Sequence, residues 1–202
     1  MMSFRVLPHA GDDLAMLEET WTDSPGLVGW LSHVDHKSIG RRYLMTAFAF
    51  FGIGGLLALV MRLQLSRPDN PLLGPDLYNQ IFTTHGTTMM FLFAVPVMQG
   101  LGVYFVPLMV GARSIAFPRL VAFSYWMLLF GGMFLYISFL MGAAPDVGWF
   151  SYPPLSESLY TPSRRPDVWA QLITFTEVGS LAVAVSLITT TLKLRAPGMK
   201  MM

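Results

Sequence analysis

The sequence predicts an all-α membrane protein, a polytopic bundle of four transmembrane helices. Of its 202 residues, 53% are hydrophobic. Only 12% are charged, about half the usual share of a soluble domain, which leaves too little polar surface to cover a core of this size. The apolar residues also gather in four runs. Each is near or above the roughly 20 residues that a helix needs to cross the hydrocarbon.

The first run covers about 43–62. Gly52, Gly54, Gly55 and Ala58 give it a small face, where another helix or a flat cofactor can approach closely. The second covers about 81–110. It exceeds the hydrocarbon thickness and is predicted to tilt or protrude, with a kink at Pro96, which has no N–H for the helix ladder. The third covers about 120–142 and holds Gly131 and Gly132. The fourth covers about 168–192. Residues 1–35 read as a polar tail, acidic through Asp12, Asp13, Glu18, Glu19 and Asp23. This tail lacks the basic start and apolar run of a signal peptide. Residues 36–202 form the membrane segment.

Loop residues set the orientation. Lys37, Arg41 and Arg42 precede the first run, Arg113 and Arg119 separate the second from the third, and Lys193, Arg195 and Lys200 follow the fourth. With four spans these fall on one side, which the positive-inside rule makes cytoplasmic together with both termini. The opposite loops are punctuated by prolines, among them Pro68, Pro71, Pro75, Pro153, Pro154 and Pro162. Tyr78, Trp149, Phe150, Tyr152, Tyr160 and Trp169 form an aromatic belt there. Net charge is +1, so no basic excess points to nucleic acid, and the expected surroundings are a lipid bilayer. Without cysteine there are no disulfides, thiolate zinc sites or cysteine-ligated iron–sulfur clusters.

Three ionisable residues stand at membrane depth: Arg62, His85 and Glu177. Such groups are costly in hydrocarbon and are functional candidates by default. His85, in Thr-Thr-His-Gly-Thr-Thr, can ligate haem iron through one ring nitrogen if the other finds an acceptor. A helix carbonyl or the hydroxyl of Thr83, Thr84, Thr87 or Thr88 would serve. Gly86 would leave room beside it for a ring. The competing reading is a histidine bonded to a neighbouring helix. Arg62 either snorkels to the interface or offers its donor fork to a haem substituent. Glu177, with Thr176 and Ser180 nearby, marks either a proton path or a carboxyl bonded to another helix. The 15 methionines read as adaptable packing rather than copper ligands.

Several collinear motifs resemble subunit I of the haem–copper terminal oxidases, the cytochrome c oxidase type. They are His-Lys-Ser-Ile-Gly (His36 to Gly40), Tyr-Leu-Met-Thr-Ala (Tyr43 to Ala47) and Met-Arg-Leu (Met61 to Leu63). Thr-His-Gly-Thr-Thr-Met-Met-Phe (Thr84 to Phe91), Val-Pro-Leu-Met-Val-Gly-Ala (Val106 to Ala112) and Ala-Phe-Pro-Arg-Leu (Ala116 to Leu120) follow. Val-Gly-Trp and Tyr-Pro-Pro-Leu-Ser lie in the third loop, and Arg-Ala-Pro-Gly-Met (Arg195 to Met199) comes last. The resemblance covers most of the chain from His33 onward.

It implies the first four helices of a twelve-helix subunit, in a bacterial inner membrane, within a proton-translocating respiratory enzyme. It further implies that His85 is one axial ligand of the low-spin haem, haem a in type, that Arg62 bonds the haem formyl group, and that Trp149 packs by the propionates. The implied partners are the rest of subunit I, subunits II and III, and cytochrome c or quinol as electron donor. The high-spin haem and copper would belong to the complete subunit. With one histidine of four inside an expected span, this chain alone lacks the dioxygen-reducing site and reads as a fragment, a truncation or one part of a split subunit. A b-type cytochrome with paired helix histidines is excluded on the same ground. Where the resemblance places proton-path aspartate and asparagines, this sequence has Ser114, Val103 and Val121. The alternative from another class is a membrane scaffold or transporter fragment without haem.

Overall fold

The computed structural model describes residues 26–199, and among these every regular element is helical. The expected tail up to residue 25 lies outside the described residues. A short helix, Gly26–Ser32, ends where the His33 amide and the Ser32 hydroxyl donate to the Gly29 carbonyl at 3.0 and 3.2 Å.

Four helices are long and apolar enough to cross a membrane: His36–Gln64, Pro75–Met109, Pro118–Leu140 and Arg165–Lys193. They are the first to fourth spans. The first begins seven residues ahead of the expected 43 because Asp35 caps it. The Asp35 carboxylate accepts from the backbone N–H groups of Lys37 and Ser38 at 2.9 and 3.3 Å, satisfying donors that a helix start leaves open. Hydropathy marks the edge of the bilayer, whereas the cap marks the end of the helix. His36, placed ahead of the span by sequence, is therefore its first residue. Proline opens the other three at N1 or N2, where its missing N–H costs nothing.

The irregularity expected at Pro96 takes a specific form. The second span is α-helical over Pro75–Thr87, π-helical over Thr88–Ala94 and α-helical again over Val95–Met109. The wider π turns lie directly ahead of Pro96 and absorb the break in the α ladder that proline imposes.

The first and second spans form the most extensive helix pair, followed by the third and fourth. Glycine allows these approaches. A Cβ on Gly40 would lie 2.9 Å from the Gly100 carbonyl oxygen, and one on Gly132 would collide with the Phe50 ring. Val103 and Val121 are fully buried in one apolar cluster with Tyr43 and Tyr125. Within it the Tyr43 hydroxyl donates to Ser124 Oγ at 2.7 Å, and Thr46 and Tyr125 share a hydrogen bond at 3.2 Å.

The two ends of the bundle differ. At one, the Ala196 amide donates to the Val110 carbonyl and the Ala116 amide to Thr190 Oγ1, both at 2.8 Å. This joins the loop bearing Arg113 to the end of the fourth span and the chain after it. At the other, Arg165 reaches Asp76 and Asp146, each at 2.6 Å. That staple ties the starts of the second and fourth spans to the loop before Trp149.

Candidate functional site

His85 lies in the N-terminal half of the second span, about three turns beyond Pro75 and half-buried. Its Nδ1 is 2.9 Å from the Gly54 carbonyl oxygen of the first span. A carbonyl only accepts, so Nδ1 carries the proton and donates, and Nε2 keeps its lone pair. Nε2 makes no hydrogen bond among the described residues. The acceptor is thus a carbonyl on a facing helix rather than one of the threonines.

Those threonines have other uses. Thr88 Oγ1 shares a 2.7 Å hydrogen bond with the Tyr136 hydroxyl of the third span. Thr83 Oγ1 accepts from the Gly148 amide at 2.9 Å. Thr84 and Thr87 are fully buried, and their hydroxyls have no hydrogen-bond partner among the described residues.

Thr83 draws the loop carrying Trp149 onto the helix beside His85. The Trp169 indole N–H then donates to the Trp149 carbonyl at 3.1 Å, and the Phe91 ring lies 6.4 Å from the indole. Gly86 is where the expectation needs correcting. A Cβ there would lie 2.8 Å from Trp149 Cβ, so the space beside His85 on that side holds Trp149 and is closed to a planar ring.

Open space lies instead along the first span. A Cβ added to Gly52 or Gly55 would meet no atom within 4 Å. Gly55, Ala58 and Arg62 follow at helical spacing (i, i+3, i+7) and share a face. Arg62 is exposed and has no hydrogen bond or ion pair among the described residues. It stands about 12 Å along the helix from Gly54. It does not touch His85 but shares the helix that holds it.

Thr176 and Ser180 turn inward, where Gln99 Nε2 donates to Ser180 Oγ at 2.7 Å and Ser180 Oγ donates to the Thr176 carbonyl at 2.9 Å. Glu177 turns outward, is exposed, and makes no hydrogen bond among the described residues. The three residues are not gathered into one path.

Two basic residues are buried that the sequence places outside the core. Arg42, grouped with the flanking charges, is fully buried, its guanidinium 5.1 Å from the centre of the Tyr125 ring. A cation over an aromatic face is stabilised by the ring quadrupole. Its position nearly two turns inside a capped helix was the available signal. His36 is also buried, with Nδ1 3.3 Å from Asp35. It stands about 27 Å along the first helix from Gly54, too far to share an iron with His85.

Residues 38–202 match the family described as cytochrome c and quinol oxidase polypeptide I. This chain belongs to that family. It is 45% identical over 177 residues to a probable cytochrome c oxidase subunit 1-alpha of Streptomyces avermitilis, covering 87% of this chain and 30% of that protein. It is 47% identical over 176 residues to a putative subunit 1-beta of Streptomyces coelicolor, covering 87% and 31%. It is 42% identical over 187 residues to cytochrome c oxidase subunit 1 of Corynebacterium efficiens, covering 91% and 32%. The chain thus spans about a third of the length of these relatives. It is a multi-pass membrane protein of an oxidoreductase family.

Proposed function

We propose that this chain is the haem-holding part of a terminal oxidase catalytic subunit, with His85 as one axial ligand of a low-spin haem. The observation that carries the reading is the 2.9 Å contact from His85 Nδ1 to the Gly54 carbonyl. It fixes the tautomer, orients the ring and leaves Nε2 for iron, as carbonyl-bonded ligand histidines do in metal sites. The residues present fit such a group. The imidazole is pre-oriented, the first span offers an uncovered small face at Gly52 and Gly55, and Arg62 stands on that face as a donor for a formyl or carboxylate substituent. When bound, the haem supplies one-electron transfer.

The protein's share is positioning. Gly54 holds the ring, and the Thr83 and Trp169 hydrogen bonds hold Trp149 as a wall beside the ligand. On this reading the haem is haem a, and the second axial ligand, the high-spin haem and copper come from the rest of subunit I. Subunits II and III, with cytochrome c or quinol as donor, complete a proton-translocating assembly in a bacterial cell membrane. The end bearing Arg113 and Arg119 faces the cytoplasm. A proton path through Glu177 would need partners from outside this chain, because Thr176 and Ser180 face the other way.

The test is the visible spectrum of the purified complete assembly. His85→Ala should abolish the low-spin haem band, and an unchanged band would overturn the reading.

A further inference from the structure

Only two acidic or basic side chains, His85 and Glu177, stand more than two turns from a span end among the described residues. His85 has an acceptor inside the bundle. Glu177 has no partner among the described residues and is exposed, about 18 Å along the fourth span from Arg165. A carboxyl facing acyl chains at that depth loses its hydration without replacement.

Thr174, Glu177, Leu181, Ala184 and Ile188 are all exposed and share one face of the helix, broad enough for another helix to lie along it. Other exposed residues at mid-depth on the remaining spans, such as Phe48, Leu56, Met98 and Phe130, are apolar and suit lipid. The occupant must therefore be a helix that brings a hydrogen-bond donor or cation to the level of Glu177.

We infer that this stripe of the fourth span is the seam for a further transmembrane helix of the same subunit, with Glu177 bonded to a donor on that helix. The coverage of relatives supports this occupant. The chain matches 30% of a relative's length, so most of that subunit lies outside it. The inference rests on the proposed membership of a larger subunit, but not on the haem.

The experiment is native gel electrophoresis of the complete assembly from its own membrane, reading the fraction of this chain that co-migrates with the larger complex. Glu177→Leu should lower that fraction roughly fivefold, and Glu177→Gln, which keeps hydrogen-bonding capacity, should lower it less than twofold. Equal co-migration of the Leu variant and the parent overturns the seam. Thr174→Cys, in a chain otherwise free of cysteine, tests the competing occupant. If it forms a disulfide-linked dimer of this chain in the membrane, a second copy covers the stripe and the inference fails. If the assembly contains no low-spin haem yet loses the Leu variant, the seam stands and the His85 reading falls.

Discussion

His85 and Glu177 pose the same physical problem and meet it in opposite ways. Both are ionisable groups at membrane depth, on helices of similar length. The imidazole is fastened by a carbonyl of the neighbouring span and walled by a tryptophan whose loop is itself tied down twice. The carboxyl faces outward without a partner among the described residues. A group satisfied within its own chain can be prepared for a ligand before that ligand arrives. A group left unsatisfied specifies what must come from elsewhere.

The largest effect that sharpens this contrast is spectroscopic. His85→Ala should remove the low-spin haem signal while Glu177→Ala leaves it in any assembly that forms, as read by reduced-minus-oxidised spectra. Equal loss from both would break the distinction. Next comes Gly86→Ala. Its Cβ would stand 2.8 Å from Trp149, and overpacking of this kind costs about 1–3 kcal/mol. Thermal unfolding in detergent should shift down and tryptophan fluorescence should change. Tyr136→Phe strips the partner from a fully buried Thr88 hydroxyl and should cost about 1–2 kcal/mol by the same measurement. The smallest effect is expected of Glu177→Leu on the thermal stability of the chain itself, within about 0.5 kcal/mol, because it breaks no contact there. A large drop would show that Glu177 is held from within.

Four spans were legible because hydrophobicity reports the bilayer directly, and the cap at Asp35 was written in the chain as well. That His85 would need an acceptor was also readable. Which acceptor was not. Four small residues lie between Gly52 and Ala58, and only the mutual rotation of two helices selects Gly54. The same rotation decides that Thr83 reaches Gly148 while Thr84 and Thr87 reach no partner among the described residues, and that Thr176 and Ser180 turn in while Glu177 turns out. Gly86 misleads for a related reason. A missing side chain declares a vacancy, and it takes the third loop, folded back by a threonine and an indole, to show who occupies it. Arg42 went unplaced because a basic residue near a span edge is ordinarily solvated, and its burial depends on an aromatic ring some eighty positions away.

The π-helical stretch from Thr88 to Ala94 separates the second span into two halves that need not share one angular register. Each α residue advances about 100° around the axis, so a single surplus residue re-aims everything downstream by that amount. The half before it can keep His85 trained on the first span while the half with Gln99 and Gly100 is dialled independently toward the fourth and first. Deleting one residue between 88 and 94 would leave composition and hydropathy almost untouched, yet it would swing one half of the helix a quarter-turn out of phase with the other.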